Sequence, residues 1–214
     1  MTTKFSLPPL YPIIDSELHP YTLHFLLGEL LRARIALVQL REKRVSSREL
    51  LRITLEALET TQSHSLSIIV NDRTDIVHVA GAHGVHLGQQ DLPVEDAREL
   101  LGPDKIIGIS THSLGQACEA EQGPADYIAI GPIYRTTSKE NPDPLVEWEE
   151  LKAIRRHVTK PLVAIGGITT ENAGRLFDLG IDSVAVIRDL LNARDICSKV
   201  NEFLALAKQR DDGP

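Results

Sequence analysis

Gln39, Arg41 and Lys43 stand at alternate positions at the end of an apolar run that begins at Ile35. In extended backbone they share one side, so an amide and two cations converge. Asn71-Asp72 closes a second run, Ser65 to Asp72, and Asp91 follows a third, Gly84 to Gly88. Two carboxylates with no Cys or His at ligand spacing suit a hard, oxygen-seeking ion such as Mg²⁺, which keeps waters and is completed by substrate phosphates; a zinc site is not indicated. The set points to a pyrophosphate-bearing substrate. One Mg²⁺ per site, on Asp72 and Asp91, would bridge phosphate oxygens, while Arg41, Lys43 and Lys139 would neutralise the charge that develops as pyrophosphate departs. The competing reading of the same residues is a ring of structural ion pairs, with Arg41 bonded to Glu42 or Asp72.

A second cluster lies further on. Gly166-Gly167 lets backbone approach a ligand, and the residues after the run Asp182 to Ile187 can present N–H groups at a helix start, a common phosphate position. His86 lies inside its apolar run, where a core histidine and a substrate contact are both reasonable. His19, His24, His64, His78 and His157 fall outside such positions and read as surface or interhelix residues. Trp148 reads as a helix anchor. The polar stretch from Gly131 to Pro144 is long for a plain connector and reads as a lid or binding loop.

Eight segments must carry these groups: Leu10 to Asp15, Ile35 to Glu42, Ser65 to Asp72, Gly84 to Gly88, Lys105 to Ser110, Asp126 to Pro132, Pro161 to Gly167 and Asp182 to Ile187. Their apolar runs show no half-wet alternation and are separated by helix-length stretches, which predicts strands covered on both faces. The βα repeat predicts an α/β fold, a single-domain (β/α)8 TIM barrel, with its active site at the C-terminal strand ends. Residues 1–209 form that domain, a last helix runs from about Asn192 to Lys208, and 210–214 are a frayed tail.

With 214 residues, 42% hydrophobic and 25% charged, the chain can bury one large core but not a second sizeable domain. A net charge of -7 argues against a nucleic-acid surface. No span is apolar enough for a membrane helix and the start lacks a signal region, which predicts a cytoplasmic protein. Cys118 and Cys197 are expected to be reduced structural thiols. Whether the chain forms a homo-oligomer is left open.

The blocks Val38-Gln39-Leu40-Arg41-Glu42-Lys43, Val70-Asn71-Asp72, Gly84 to Asp91, Gly108-Ile109-Ser110, Gly131-Pro132-Ile133-Tyr134 with Thr136 to Lys139, and Ala164 to Ile168, in that order, closely resemble the thiamine-phosphate synthase family. The resemblance runs from the first strand to the last helix. It implies Mg²⁺-dependent joining of a pyrimidine methyl diphosphate to a thiazole phosphate, by dissociative loss of pyrophosphate. It further implies that Gln39, Leu40, Arg41, Glu42, Lys43, Asn71, His86, Ser110 and Lys139 hold the pyrimidine diphosphate, with Arg41, Lys43, Ser110 and Lys139 assisting its departure. Asp72 and Asp91 would ligate the metal, and Thr136, Thr137, Ser138, Gly167, Ile187 and Arg188 would surround the thiazole phosphate.

Three positions depart from the family pattern: Ser138 mildly, Arg188 where a small Ser is common, and Glu147 where Gly is frequent. Arg188 would either clamp the phosphate or turn outward and leave only its backbone N–H. The alternatives are a thiazole tautomerase on the same barrel, a non-catalytic binder of thiamine phosphate or thiazole phosphate, and an unrelated phosphate-binding barrel isomerase. Gln39, Asp91 and Lys139 favour the synthase, because the first two alternatives have no need of leaving-group machinery and the third lacks an evident acid/base pair.

Overall fold

The computed structural model describes residues 6–137 and 143–211. Eight parallel strands close a barrel in sequence order: β1 Leu10–Ile14, β2 Leu37–Leu40, β3 Ser67–Asn71, β4 Gly84–Leu87, β5 Ile106–Thr111, β6 Tyr127–Ile130, β7 Leu162–Ile165 and β8 Ser183–Val186. The helices between and after them are α1 Leu23–Arg32, α2 Ser47–Thr61, α3 Thr74–Ala80, α4 Val94–Leu101, α5 Leu114–Gln122, α6 Trp148–His157, α7 Gly174–Asp178, α8 Arg188–Leu191 and α9 Ile196–Asp211. A short 3-10 turn at Ser16–Leu18 follows β1, with the Asp15 side chain accepting from Glu17 N–H.

The strands do alternate, but between two dry faces. Leu10, Ile14, Val38, Leu40, Ile68, Val70, Val85 and Leu87 pack outward beneath the helices. Tyr11, Ile13, Leu37, Ile69, Tyr127, Ala129, Val163 and Ala185 fill the barrel interior. A sequence pattern that scores both faces as apolar therefore appears continuous. Helix starts follow side-chain capping: Ser46 accepts from Glu49 N–H at 3.2 Å and Ser113 from Gln116 N–H at 3.3 Å, each worth about 1 kcal/mol.

Two matching clamps tie the bottom of the barrel. Arg98 of α4 binds Asp126 at 2.7 Å, and the same carboxylate accepts Ile107 N–H of β5 at 2.7 Å. Arg155 of α6 repeats this two strands on, with Asp182 at 2.8 Å and Leu162 N–H of β7 at 2.8 Å.

The expected last helix, from about Asn192, starts instead at Ile196, and a separate short helix, α8, precedes it. Asp195 takes the Ser198 N–H at 2.9 Å and its hydroxyl at 2.9 Å, which caps a fresh start after α8. That second helix continues to Asp211, past the expected end at Lys208. Cys118 in α5 and Cys197 in α9 are both free thiols. Trp148 stacks under the Arg175 guanidinium, 4.6 Å from its ring centre, and so links α6 to α7. Among the described residues, no helix is long and apolar enough to cross a membrane.

Candidate active site

Parallel register decides which side chains meet at the mouth. Ile14 of β1 lies beside Leu40 of β2, so the next residues on each, Asp15 and Arg41, leave the sheet together and form an ion pair. Asp15 is buried, and its partner lines the cavity. Arg41 is thus paired with Asp15, not with Glu42 or Asp72: the register brings Asp15 to it while the backbone turns Glu42 away. Glu42 accepts instead from the Ser16 hydroxyl and, at 3.1 Å, from the Ser16 N–H. Its carboxyl is raised above the usual range, chiefly by burial.

Two of the residues assigned to the diphosphate pocket consequently do not line the cavity. The Leu40 side chain is in the outer core and Glu42 faces Ser16, because β2 alternates and Gln39 and Arg41 take the inner side.

Lys43 reaches Asp72 at 3.2 Å. Asp72 holds a left-handed backbone, φ 65°, and donates its N–H to His86 O at 2.8 Å across β3 and β4. That conformation is uncommon for a residue with a side chain and is tolerated by Asp. Asp91 closes the turn after β4 by accepting Gly88 N–H at 2.6 Å. Its carboxyl is raised, first by burial and also by the neighbouring Asp72 carboxylate, against the lowering effect of the Gly88 hydrogen bond. Two carboxylates pressed together beside Arg41 and Lys43 form a donor set that a divalent ion could relieve. Among the described residues, no group of three or more His, Cys, Asp and Glu side chains is placed to hold a metal ion; an ion at Asp72 and Asp91 would have two carboxylates and take its other ligands from water or phosphate.

The mouth opens into a cavity of about 1340 Å³. Gln39, Asn71, His86 and Ser110 line its floor. Beneath them runs a buried chain of hydrogen bonds: Gln39 Nε2 to Tyr11 Oη at 3.1 Å, Tyr11 Oη to Tyr127 Oη at 2.9 Å, Tyr127 Oη to His86 Nδ1 at 2.9 Å, and His86 Nε2 to Ser110 Oγ at 2.8 Å. Burial pushes the His86 imidazole down to about 4, so it is neutral near pH 7. Burial likewise raises both phenols.

On the opposite side, Gly166 and Gly167 have φ 100° and 62°. Both line the cavity, but their lack of side chains is also demanded by the loop after β6: a Cβ at Gly167 would lie 2.9 Å from Tyr134 Cβ. Thr136, Thr137, Ile187 and Arg188 face the same cavity. The Arg188 guanidinium donates to the Thr137 carbonyl at 3.3 Å, bridging the β8 end to the β6 loop. Ser138 and Lys139 lie outside the described residues. Glu147 occupies the exposed cap of α6 with φ -67°, so its backbone has no need of glycine, and its charge suits a helix N-terminus.

His24, His64, His78 and His157 are exposed, and His19 is half-buried. Two histidines were left unclassed by the sequence: His83, which accepts Ile68 N–H at 3.0 Å, and His112. His112, just past β5, lines the cavity, donates from Nδ1 to Gly131 O at 2.6 Å and turns Nε2 toward Asp143 at 3.5 Å. Its only signal was its place after a strand. Lys199 of α9 also reaches the cavity edge, 4.0 Å from Asp189, and nothing local in the helix marks it.

Residues 10–190 match the family model described as thiamine monophosphate synthase. The chain is 43% identical to a thiamine-phosphate synthase of Koribacter versatilis over 96% of this chain and 99% of that one. It is 40% identical to one from Clostridium acetobutylicum, covering 94% and 95%. A solved thiamine phosphate pyrophosphorylase from Pyrococcus furiosus superposes with TM-score 0.83 at 33% identity, covering 94% of this chain and 96% of that one. Fold, near-complete coverage and identity agree: the chain belongs to the thiamine monophosphate synthase family, enzymes of thiamine biosynthesis.

Proposed function

We propose that the cavity joins 4-amino-2-methyl-5-(diphosphooxymethyl)pyrimidine to 4-methyl-5-(2-phosphooxyethyl)thiazole, or its carboxylated precursor, giving thiamine phosphate and pyrophosphate. The observation that carries this reading is the gathering of Arg41, Lys43, Asp72 and Asp91 on one side of the mouth, opposite the Gly167, Ile187 and Arg188 edge. One side suits a diphosphate and the other a monophosphate.

Arg41, aligned by Asp15, and Lys43 stabilise charge as it grows on departing pyrophosphate, and Lys139 is assigned to the same task from the family pattern. Asp72 and Asp91 would hold one Mg²⁺, which supplies further neutralisation of phosphate oxygens. Gln39, Asn71, His86 and Ser110 orient the pyrimidine, whose amino-substituted ring delocalises the methylene cation left when the C–O bond breaks. The thiazole nitrogen then donates its lone pair to form the C–N bond. Thr136, Thr137, Ser138, Gly167, Ile187 and Arg188 fix the thiazole phosphate for that capture, so catalysis is positioning and electrostatics with no protein nucleophile. The free thiols and acidic balance support a cytoplasmic enzyme acting on small molecules rather than nucleic acid.

Pyrophosphate release and thiamine phosphate formation, followed with both substrates with and without Mg²⁺, test the proposal. Coupled, Mg²⁺-dependent appearance of both products is expected. Thiazole isomerisation without coupling would move the assignment to a tautomerase, and binding without either reaction would leave a non-catalytic binder.

A further inference from the structure

We infer that Tyr127 is a positioning residue that sets the polarity of the pyrimidine pocket: it holds His86 in the Nε2-protonated tautomer, and this makes Ser110 a hydrogen-bond donor toward the ligand. The inference rests on the reading that the pyrimidine occupies the floor of the cavity.

The Gln39 amide nitrogen can only donate, so the Tyr11 oxygen accepts from it at 3.1 Å. Of the two partners Tyr11 Oη has among the described residues, Gln39 Nε2 cannot accept, so the buried Tyr11 proton finds its acceptor on Tyr127, 2.9 Å away. We take Tyr127 in turn as the donor to His86 Nδ1 at 2.9 Å, which gives its own buried proton an acceptor. A neutral imidazole that accepts at Nδ1 carries its proton on Nε2, which faces Ser110 Oγ at 2.8 Å. Ser110 accepts that bond, and its hydroxyl proton is directed to the cavity. The polarity thus originates at a glutamine on the far side of the barrel.

The geometry of Tyr127 is fixed more tightly than a core filler requires. Its ring is fully buried, stands edge-on to Tyr11 at 5.8 Å and 84°, and stacks on His86 at 5.6 Å and 20°. It occupies the space left by Gly108, where any Cβ would collide with the phenol. The glycine two residues before Ser110 on β5 is what admits the phenol beneath His86.

Two measurements on the full chain decide the matter. In protein carrying ¹⁵N-histidine, long-range proton–nitrogen correlation near pH 7 should show His86 protonated on Nε2, assigned by loss of its signals in His86→Asn; protonation on Nδ1 overturns the inference and needs no folded Tyr127 variant. Tyr127→Phe keeps the ring and removes the proton. It should raise the KM for the pyrimidine diphosphate about tenfold, the worth of one oriented hydrogen bond, with the thiazole phosphate KM unchanged. In a Ser110→Ala background the same change should add nothing. Equal rises in both backgrounds would show that Tyr127 only packs the core. A wild type that is silent in the pyrophosphate assay while keeping Nε2 protonated would remove the substrate reading and still support the polarity.

Discussion

His86 makes the stability of this barrel sensitive to mild acid. In the unfolded chain its imidazole takes a proton near its ordinary value of 6.5, whereas burial in the folded barrel lowers that to about 4. The sign follows from proton uptake: below about 6.5 the unfolded state binds the proton and the folded state refuses it, so stability falls with pH until about 4 and then levels. At about pH 5 the loss from this one group is about 2 kcal/mol, approaching about 3 kcal/mol when both states are protonated. Urea unfolding of wild type and His86→Asn at a series of pH values isolates the effect, because shifts from Asp91 and Glu42 are common to both chains. Wild type should lose about 2 kcal/mol relative to the variant between about pH 7 and 5. A pH-independent difference between the two curves would refute the claim that a neutral, desolvated imidazole is held in the floor of the mouth.

Asp91→Ala should reduce Mg²⁺-dependent turnover by more than about a hundredfold while the chain stays folded, since among the described residues its carboxylate bonds the rim turn at Gly88 and faces Asp72 and Lys43; isothermal titration with Mg²⁺ and a thermal melt check both halves, and unchanged activity would remove Asp91 from the metal site. Arg188→Ser should raise the KM for thiazole phosphate by about tenfold, the worth of one charge-assisted hydrogen bond, and leave the KM for the pyrimidine diphosphate unaltered. An unchanged thiazole dependence would show that the guanidinium serves only the Thr137 carbonyl.

The barrel was legible because each strand is apolar on both faces, and because the polar residues that end β2, β3 and β4 fall where a parallel sheet opens to solvent. What could not be read was partnership across the chain. Asp15 and Arg41 meet only because the register sets Ile14 beside Leu40, a fact about hydrogen-bonded neighbours that neither segment encodes alone. Tyr11 and Tyr127 sit in apolar runs and count as core residues, so their linked hydroxyls leave no mark on hydropathy. Gly166-Gly167 was read for its ligand, whereas much of the constraint comes from the Tyr134 loop crossing over it. The start of the last helix at Ile196 rather than at about Asn192 depended on a local cap at Asp195 that an amphipathic pattern passes over.

The paired clamps at the bottom of the barrel separate closure from chemistry. Arg98 with Asp126 and Arg155 with Asp182 join helix to strand and strand to strand at the N-terminal ends, away from Lys43, Asp91 and Arg188. None of the strand-to-strand ties they make passes through the mouth. The rim is therefore free to drift in sequence while the sheet stays shut, and departures such as Arg188 are the kind of change this architecture absorbs: a new substrate preference can be tried at the top without first rebuilding the base.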